Sequence, residues 1–274
     1  GLCASSRPSI GEGAAEESRL DLLEACQDAD IVFLTGGIGG GTGTGSLPVL
    51  AKIAKERGAL TIAIVTLPFG NEGARRNRNA RLGLEKLRKS ADTVIVIPND
   101  KLLQENIANL PLNTAFRQAD EILGNAIRCM TEITSQGGLV NIDFADMRSI
   151  MEGGGVAMIG MGEGQGQHRA SDAVTAALTS PLLELDISES KGALINVSGG
   201  DDMTLQEAHE VVREVHSKIN KDARIIWGAS IDSTLEHQVR VMLVVTGVKS
   251  SQILGPPSGV DDEMQSRYGI EFVQ

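Results

Sequence analysis

The sequence predicts an α/β protein with a parallel sheet covered by helices on both faces, then a long helix and a second, mixed α/β unit. In the first third of the chain, segments that are apolar throughout alternate with helix-like segments. Strands buried on both faces have this composition, and their alternation with helices is typical of a parallel sheet. The predicted strands are Ile31–Thr35, Leu60–Thr66 and Thr93–Pro98, and the predicted helices are Ile10–Gln27, Pro48–Arg57 and Asn77–Lys89.

A long helix follows, because apolar residues recur every three or four positions from Leu112 to Ile133. About 22 residues at 1.5 Å each give a rod of about 33 Å, long enough to join two units. The second unit is predicted to contain strands at Val156–Gly160, Ala193–Ser198, Arg224–Ala229 and Gln238–Thr246, with helices at Ala170–Thr179 and Thr204–Ile219. We therefore divide the chain into residues 1–111, a central helix at 112–136, a second unit at 137–248 and a flexible tail at 249–274.

Composition excludes several classes of partner. The net charge of −11 argues against a nucleic-acid or anionic-membrane surface, and only 3% of residues are aromatic. No apolar run approaches the roughly 20 residues of a membrane span, so direct membrane insertion is not expected. The three cysteines are scattered without metal-ligand spacing, which predicts reduced thiols. A phosphate ligand would have to be neutralised locally, by backbone dipoles and a metal ion.

The glycine-rich segment from Gly36 to Gly45 is the main candidate site. Seven glycines lie there between a predicted strand and a predicted helix. This arrangement directs backbone N–H groups and a helix N-terminus at an anion, and glycine allows the close approach of a phosphate. The candidate ligand-binding residues are Gly39, Gly40, Gly41, Thr42, Gly43, Thr44 and Gly45.

Two common phosphate loops are excluded by spacing. A P-loop requires a lysine after its second glycine, and the first lysine here is Lys52. Every dinucleotide-type frame fails at its last glycine, where Thr42 or Thr44 stands. A purely structural glycine turn remains an alternative from the spacing alone.

Residues 39–46, Gly-Gly-Gly-Thr-Gly-Thr-Gly-Ser, resemble the signature loop of the tubulin/FtsZ superfamily of GTPases. From Gly1 to about Val248 the chain resembles the FtsZ family of prokaryotic cell-division proteins, and its archaeal members in particular. The match begins inside the family's third loop, so we expect the chain to be N-terminally incomplete. The resemblance implies a tubulin-type GTPase fold in which residues 1–111 bind GTP or GDP with Mg²⁺.

The resemblance also implies a cellular role. It predicts head-to-tail homopolymers that hydrolyse GTP, a cytoplasmic location at the division site, and division or membrane-anchoring proteins bound through the tail. Two alternatives are a non-hydrolysing nucleotide-binding scaffold of the same family and an unrelated α/β enzyme with a phosphate ligand.

Five residues outside the loop are assigned to the nucleotide by resemblance. Glu72 would take the ribose and Arg76 the phosphate side, while Asn99 would contact guanine. On the central helix, the Phe116 ring would stack on the base and the Asp120 carboxylate would accept its N1 and N2 hydrogens. From the residues alone, Glu72 with Arg76 could equally be a solvated charge cluster, Asn99 a turn and Phe116 part of the core.

A second candidate segment contains Asn141, Asp143 and Asp146. If a helix starts near Asp143, both carboxylates lie on one face, but an Asp there is also an ordinary helix cap. The segment resembles the family's synergy loop, which enters the nucleotide pocket of the next subunit. The resemblance implies that the two carboxylates position the attacking water beside Mg²⁺, and that residues 137–248 activate hydrolysis.

The start of the chain departs from the family's pattern. Residues 3–8 are Cys-Ala-Ser-Ser-Arg-Pro, where the family has Gly-Ala-Gly-Gly-Asn-Pro. That loop normally approaches the γ-phosphate, and the added side chains of Cys3, Ser5 and Ser6 would hinder the approach, although Arg7 could add a compensating charge. We therefore expect this chain to bind GTP weakly or not at all.

Overall fold

The computed structural model describes residues 4–102, 112–134, 139–183, 187 and 190–248. The predicted tail, residues 249–274, lies outside them. Phe116 belongs to a described helix, but its side chain lies outside the described part.

Within the described residues, seven strands form one continuous mixed sheet. The strands are β1 (Ile31–Gly37), β2 (Leu60–Leu67), β3 (Thr93–Pro98), β4 (Gly155–Gln165), β5 (Gly192–Gly199), β6 (Arg224–Ile231) and β7 (Gln238–Thr246). Their order is β1-β2-β3-β4-β7-β5-β6. Strands β1 to β4 are parallel, β5 pairs in parallel with β6, and β7 runs antiparallel to both β4 and β5. The predicted fold class is confirmed, and the strands on either side of the central helix share one sheet.

The helices are α1 (Pro8–Glu17), α2 (Arg19–Ala25), α3 (Thr42–Glu56), α4 (Ala74–Ser90), α5 (Asn99–Leu102), α6 (Leu112–Thr134), α7 (Phe144–Met151), α8 (Arg169–Leu178) and α9 (Leu205–Lys218). Short 3-10 turns occur at Gly70–Glu72, Gly166–His168 and Pro181–Leu183. In the part of the chain that the structure describes, every helix is too short or too polar to span a bilayer.

Two predicted helices differ from the observed ones by more than three residues or by a break. The predicted helix 10–27 is divided at Ser18, which caps both α1 and α2 with a non-helical backbone. Helix α3 begins at Thr42 rather than Pro48, so the last four residues of the glycine-rich segment form its first turn. Tertiary packing decides this start, because a Cβ added at Gly43 would overlap the carbonyl oxygen of Gly37. Glycine and threonine have low intrinsic helix propensity, so the sequence pattern did not indicate that α3 starts at Thr42.

The sheet is buried on both faces, as its uniformly apolar strands predicted. Side chains alternate along each strand, so Ala63 and Val65 of β2 face one layer while Ile62 and Ile64 face the other. The first layer holds α3, α4, α8 and α9; the second holds α6 and α7. The loops at both edges of the sheet are therefore held by a rigid core.

A buried arginine joins α8 to α9. Arg169 is 7% exposed, and its Nε donates to Glu207 Oε1 at 2.6 Å while its Nη1 donates to Asp202 Oδ2 at 2.7 Å. Glu207 also completes the predicted capping box with Thr204. The hydrogen bond from the Arg169 guanidinium holds the pKa of each carboxyl group below its ordinary value.

We predict that Arg169→Gln lowers the free energy of unfolding at pH 7 by about 2 kcal/mol, because the buried guanidinium loses its charge-assisted hydrogen bonds to the partly exposed carboxylates of Asp202 and Glu207. Carboxyl groups whose pKa is lowered by folding contribute stability above their unfolded pKa of about 4. That contribution is lost as the pH falls through the lowered pKa, so the difference between variant and wild type should shrink towards pH 3. Thermal unfolding at both pH values measures it.

The matched control is Arg213→Gln, an exposed arginine of α9 without an ion pair among the described residues. It should change the stability little at either pH. A deficit of Arg169→Gln that stays the same from pH 7 to pH 3 would contradict the ion-pair explanation.

Candidate functional site

A cleft of about 340 Å³ lies at the carboxyl ends of β1, β2 and β3. In open α/β sheets, ligands bind outside this edge of the parallel strands. The described residues that line it come from the segment before α1, the glycine-rich loop, the loop after β2 and the first residue after β3. They are Ala4, Ser5, Ser6, Gly37, Ile38, Gly40, Gly41, Thr42, Gly43, Thr66, Leu67, Pro68, Glu72, Arg76 and Asn99.

The glycine-rich loop connects β1 to α3 and is tightly packed. Gly39 has a φ of +112°, a conformation that side chains rarely adopt, and its N–H donates to Thr44 Oγ1 at 2.8 Å. A Cβ at Gly41 would lie 2.6 Å from the Cβ of Ala4. These glycines therefore have a structural role, in agreement with one of the two alternatives for the loop.

The same loop leaves an opening where an anion fits. The N-cap of α3 is Gly41, which has no side chain to accept from the N–H groups of the first turn. Gly40 lines the cleft, and an added Cβ there would meet no atom within 4 Å. A helix N-terminus beside open space is a favourable phosphate site, so the loop supports ligand binding as well as packing.

Glu72 and Arg76 lie together at the rim of the cleft. Glu72 Oε1 accepts from the N–H of Phe69 at 2.8 Å, and Arg76 forms an ion pair with Glu72. The Arg76 side chain is 49% exposed and that of Glu72 is 21% exposed. The pair is thus fixed beside the cleft, and each side chain can turn part of its polar surface to a ligand.

Asn99 begins α5 directly after β3. Its Oδ1 is buried and has no hydrogen-bond partner among the described residues. An unpartnered buried acceptor is costly, so a donor from a ligand would stabilise it. The interpretation of this segment as a simple turn was incomplete, since Asn99–Leu102 form a single helical turn.

The central helix contributes less to the described cleft. Asp120 is exposed and does not belong to the described residues that line the cleft. The side chain of Phe116 lies outside the described residues. The structure therefore brings together the glycine-rich loop, Glu72, Arg76 and Asn99, and the roles of Phe116 and Asp120 stay predictions.

Two side chains that the sequence did not single out hold these loops in place. Asp100 accepts from the N–H of Gly70 at 2.9 Å and fixes the loop after β2. Asn79 of α4 donates to the carbonyl groups of Ser6 at 3.1 Å and Gly39 at 3.3 Å. The only sequence signal for Asp100 was its position beside Asn99, and Asn79 had none, because both contacts link distant parts of the chain.

The loop before α1 borders the cleft in a strained conformation. Ser5 and Ser6 have φ angles of +46° and +56°, in the left-handed region that favours glycine. Both residues line the cleft. They are the positions at which the resembled family has glycine.

Asn141, Asp143 and Asp146 are exposed, and none of them belongs to the described residues that line the cleft. Asp143 caps α7, where its Oδ1 accepts from the N–H of Ala145 at 3.2 Å, so the capping interpretation is confirmed. In the same helix, Arg148 donates to the carbonyl oxygen of Gly58, which lies just before β2. Strand β2 has 8 residues and is therefore about 26 Å long, and the cleft lies at its carboxyl end. One molecule cannot bring these carboxylates to its own cleft.

Comparison with known proteins identifies the family of the chain. Residues 1–106 match the GTPase domain of the Tubulin/FtsZ family, and residues 155–249 match the C-terminal domain of the FtsZ family. The cell division protein FtsZ 1 of Archaeoglobus fulgidus is 54% identical over 274 residues, which are 100% of this chain and 73% of that protein. The chain belongs to the FtsZ family.

Other FtsZ proteins show the same similarity. The cell division protein FtsZ of Methanothermobacter thermautotrophicus is 55% identical over 96% of this chain and 69% of its own length. Among solved structures, an empty FtsZ dimer from M. jannaschii superposes with a TM-score of 0.88 at 53% identity, covering 91% of this chain and 72% of that one. A GDP-bound CetZ1 monomer from Haloferax volcanii, at 20% identity and a TM-score of 0.75, shares the fold; it covers 97% of this chain and 78% of its own.

We predict that two neighbouring glycines respond differently to alanine. Gly43→Ala should lower the free energy of unfolding by about 1–3 kcal/mol, because the methyl group overlaps the Gly37 carbonyl oxygen even though alanine is the better helix former. Gly40→Ala should change it by less than about 0.5 kcal/mol, because its methyl group meets open space. Chemical denaturation of both variants checks this, and equal losses would contradict the described packing of the loop.

Proposed function

We propose that this FtsZ-family chain binds GTP, polymerises head to tail and hydrolyses GTP only within the polymer, as part of cell division. One observation carries the proposal: the cleft and the exposed carboxylates of Asp143 and Asp146 lie at opposite edges of one sheet. A second copy stacked in the same orientation would bring its carboxylates to the open cleft. The Archaeoglobus and Methanothermobacter relatives, which are cell division proteins by name, support the cellular role.

The cleft accounts for binding of the nucleotide. The phosphates would lie against Gly40 and the first turn of α3, whose N–H groups carry partial positive charge. Glu72 would bind the ribose, and Arg76 would neutralise phosphate charge. The buried Oδ1 of Asn99 would accept a hydrogen from guanine, with Phe116 and Asp120 supplying stacking and further acceptors on the base.

Magnesium fits the phosphate side of this site. Among the described residues, no group of three or more histidine, cysteine or carboxylate side chains is placed to hold a metal ion. Mg²⁺ commonly keeps several waters and binds through substrate phosphates with one or two carboxylates. When bound, it would neutralise charge that develops on the transferred phosphoryl group.

The carboxylates of the neighbouring copy would orient the attacking water. Asp143 uses one acceptor position for its own helix cap, and an ionised carboxylate has further lone pairs that can accept from water. Asp146 lies in the first turn of the same helix, and Asn141 precedes them in the loop. Because capping fixes the Asp143 rotamer, the helix can place this carboxylate reproducibly against a partner's phosphates.

A non-hydrolysing scaffold is the second candidate function. The left-handed Ser5 and Ser6 favour it, because they occupy the loop that approaches the γ-phosphate in the resembled family. In this alternative, nucleotide binding and assembly persist while turnover is absent. In either case we propose that the protein acts in the cytoplasm at the division site, and that the tail binds division or membrane-anchoring proteins.

We predict that two inactive variants restore each other's activity. Gly40→Asp places a negative side chain in the phosphate site, and Asp143→Asn/Asp146→Asn removes both carboxylates; each alone should lose at least about 100-fold in GTP turnover. In an equimolar mixture, only the chains with the two Asn substitutions have an intact cleft, which is half of all clefts. Half of these clefts meet a Gly40→Asp chain, whose Asp143 and Asp146 are intact. Phosphate release should therefore recover to about a quarter of the wild-type rate at equal total concentration.

The matched control is Asp172→Asn/Asp201→Asn, which makes the same charge change at two other exposed positions and should leave turnover unchanged. A mixture no faster than the mean of its two components would refute a site shared between copies. A wild-type chain that binds GTP and assembles without releasing phosphate would establish the scaffold function instead.

We also predict that Ser5→Gly/Ser6→Gly tightens GTP binding by at least about tenfold, because glycine relieves the left-handed strain and opens the approach to the phosphates. Equilibrium titration with GTP measures it, with Ser9→Gly in exposed α1 as the control. Micromolar or tighter binding by the wild-type chain would reject the expectation of weak affinity.

A further inference from the structure

The peptide group between Gly39 and Gly40 contacts helix α4 on one side and the cleft on the other. Asn79 of α4 donates to the carbonyl oxygen of Gly39 at 3.3 Å and to that of Ser6 at 3.1 Å. Carbonyl oxygens only accept hydrogen bonds, so it is the amide nitrogen of Asn79 that faces them. This NH₂ group has two hydrogens, and both are used to hold the two loops.

The hydrogen bond to Gly39 sets the orientation of the next N–H group. The peptide bond between Gly39 and Gly40 is trans and planar, so its C=O and N–H point in opposite directions. Because the carbonyl oxygen faces Asn79, the N–H of Gly40 points away from α4. Gly40 lines the cleft, whereas Asn79 is not among the described residues that do. Within the described part of the chain, no group accepts from this N–H, so it is available to a ligand.

The same peptide group can also adopt the opposite orientation. Gly39 has a φ of +112°, while Gly40 is not among the described glycines with a positive φ. A half-turn of the peptide plane would change the φ of Gly40 by about 180°, and glycine accepts the positive value that results. The turned peptide would direct the Gly39 carbonyl oxygen to the cleft. A carbonyl oxygen repels a phosphate, whereas an N–H group attracts one.

The N–H of Gly39 is held by a different residue. It donates to Thr44 Oγ1 at 2.8 Å. Thr44 in turn packs on Gly83, which lies one turn after Asn79 on the same face of α4; a Cβ at Gly83 would lie 2.5 Å from Thr44 Cγ2. One face of α4 therefore supports both ends of Gly39, and the carbonyl end depends on Asn79.

We propose that Asn79 is a positioning residue of the nucleotide site. Its amide holds the peptide between Gly39 and Gly40 with the N–H towards the phosphates and the carbonyl oxygen away from them. Asn79 does not touch the nucleotide and acts through the backbone of the glycine-rich loop. The inference rests on the proposed binding of GTP in this cleft. It assigns the orientation of one phosphate-binding donor to a side chain that lies 40 positions away in the chain.

GTP titration of Asn79→Leu tests the proposal in a Ser5→Gly/Ser6→Gly parent chain, which is expected to bind GTP more tightly than the wild type. Leucine is similar in size to asparagine but has no donor, so the peptide is free to turn. The apparent affinity falls with the fraction of chains that keep the Gly40 N–H towards the cleft. We expect a loss of at least about tenfold.

A second substitution separates peptide orientation from general packing. Alanine at position 40 disfavours the turned peptide, because the turn would give this residue a positive φ. In a Gly40→Ala background, Asn79→Leu should therefore lower the GTP affinity by less than about threefold. A merely structural role of Asn79 would cost the same factor in both backgrounds.

Asn77→Leu is the matched control on the same helix. The Asn77 amide also donates to two carbonyl oxygens, those of Gly70 at 3.3 Å and Gly73 at 3.2 Å. These contacts do not involve the turning peptide, so any loss of GTP affinity in this variant should be the same in both backgrounds. Asn79→Ala removes the same donors as Asn79→Leu with a smaller side chain, and it should reproduce the dependence on Gly40.

NMR of the nucleotide-free chains measures the peptide directly. The Gly40 amide should give one signal in the parent chain, and a second signal or microsecond-to-millisecond exchange in Asn79→Leu. Equal losses of GTP affinity in both backgrounds, or a Gly40 amide that stays in one unchanged state, would overturn the proposal. If the parent chain does not bind GTP, the proposed function fails, and the Gly40 signal still decides the role of Asn79.

Discussion

The common direction of strands β1 to β4 is the constraint that sets the positions of the cleft and of the α7 carboxylates. Parallel strands place all their carboxyl ends at one edge, and the cleft forms there because three successive loops meet. The same direction places α7 and its exposed carboxylates at the other edge, about one strand length away. A core buried on both faces keeps the two edges apart. The proposed completion of the site by a second copy therefore rests on strand direction.

The glycine-rich loop shows how one segment serves packing and binding together. Gly39, Gly41 and Gly43 are required by neighbouring backbone or by a left-handed angle, whereas Gly40 borders open space. The packed glycines hold the backbone rigid, and a rigid backbone keeps the N–H groups of α3 directed at the cleft without a cost on binding. Asn79 and Asp100 extend this rigidity to the adjoining loops through hydrogen bonds.

Most of the fold followed from local pattern, and the exceptions have a physical cause. Every predicted strand from Ile31 to Thr246 is present, because burial on both faces leaves a continuous apolar signature. The predicted start of α3 was wrong, because the close packing of Gly43 against the Gly37 carbonyl group outweighs the low helix propensity of glycine. The prediction of one continuous helix from Ile10 to Gln27 was also wrong, because the backbone leaves the helical conformation at Ser18. Asn79 could not be found, because its partners lie 40 or more positions away in the chain.

The sequence by itself determined the α/β class and the glycine-rich loop as the candidate anion site. It also indicated the FtsZ family, which the comparisons with known proteins confirmed. These features are local: periodicity, spacing and residue type express them without reference to distant contacts. Only the tertiary structure decided that Glu72, Arg76 and Asn99 border one cleft while Asp143 and Asp146 lie at the opposite edge. Strand order and direction determine those positions, and neither can be predicted from any single segment of the chain.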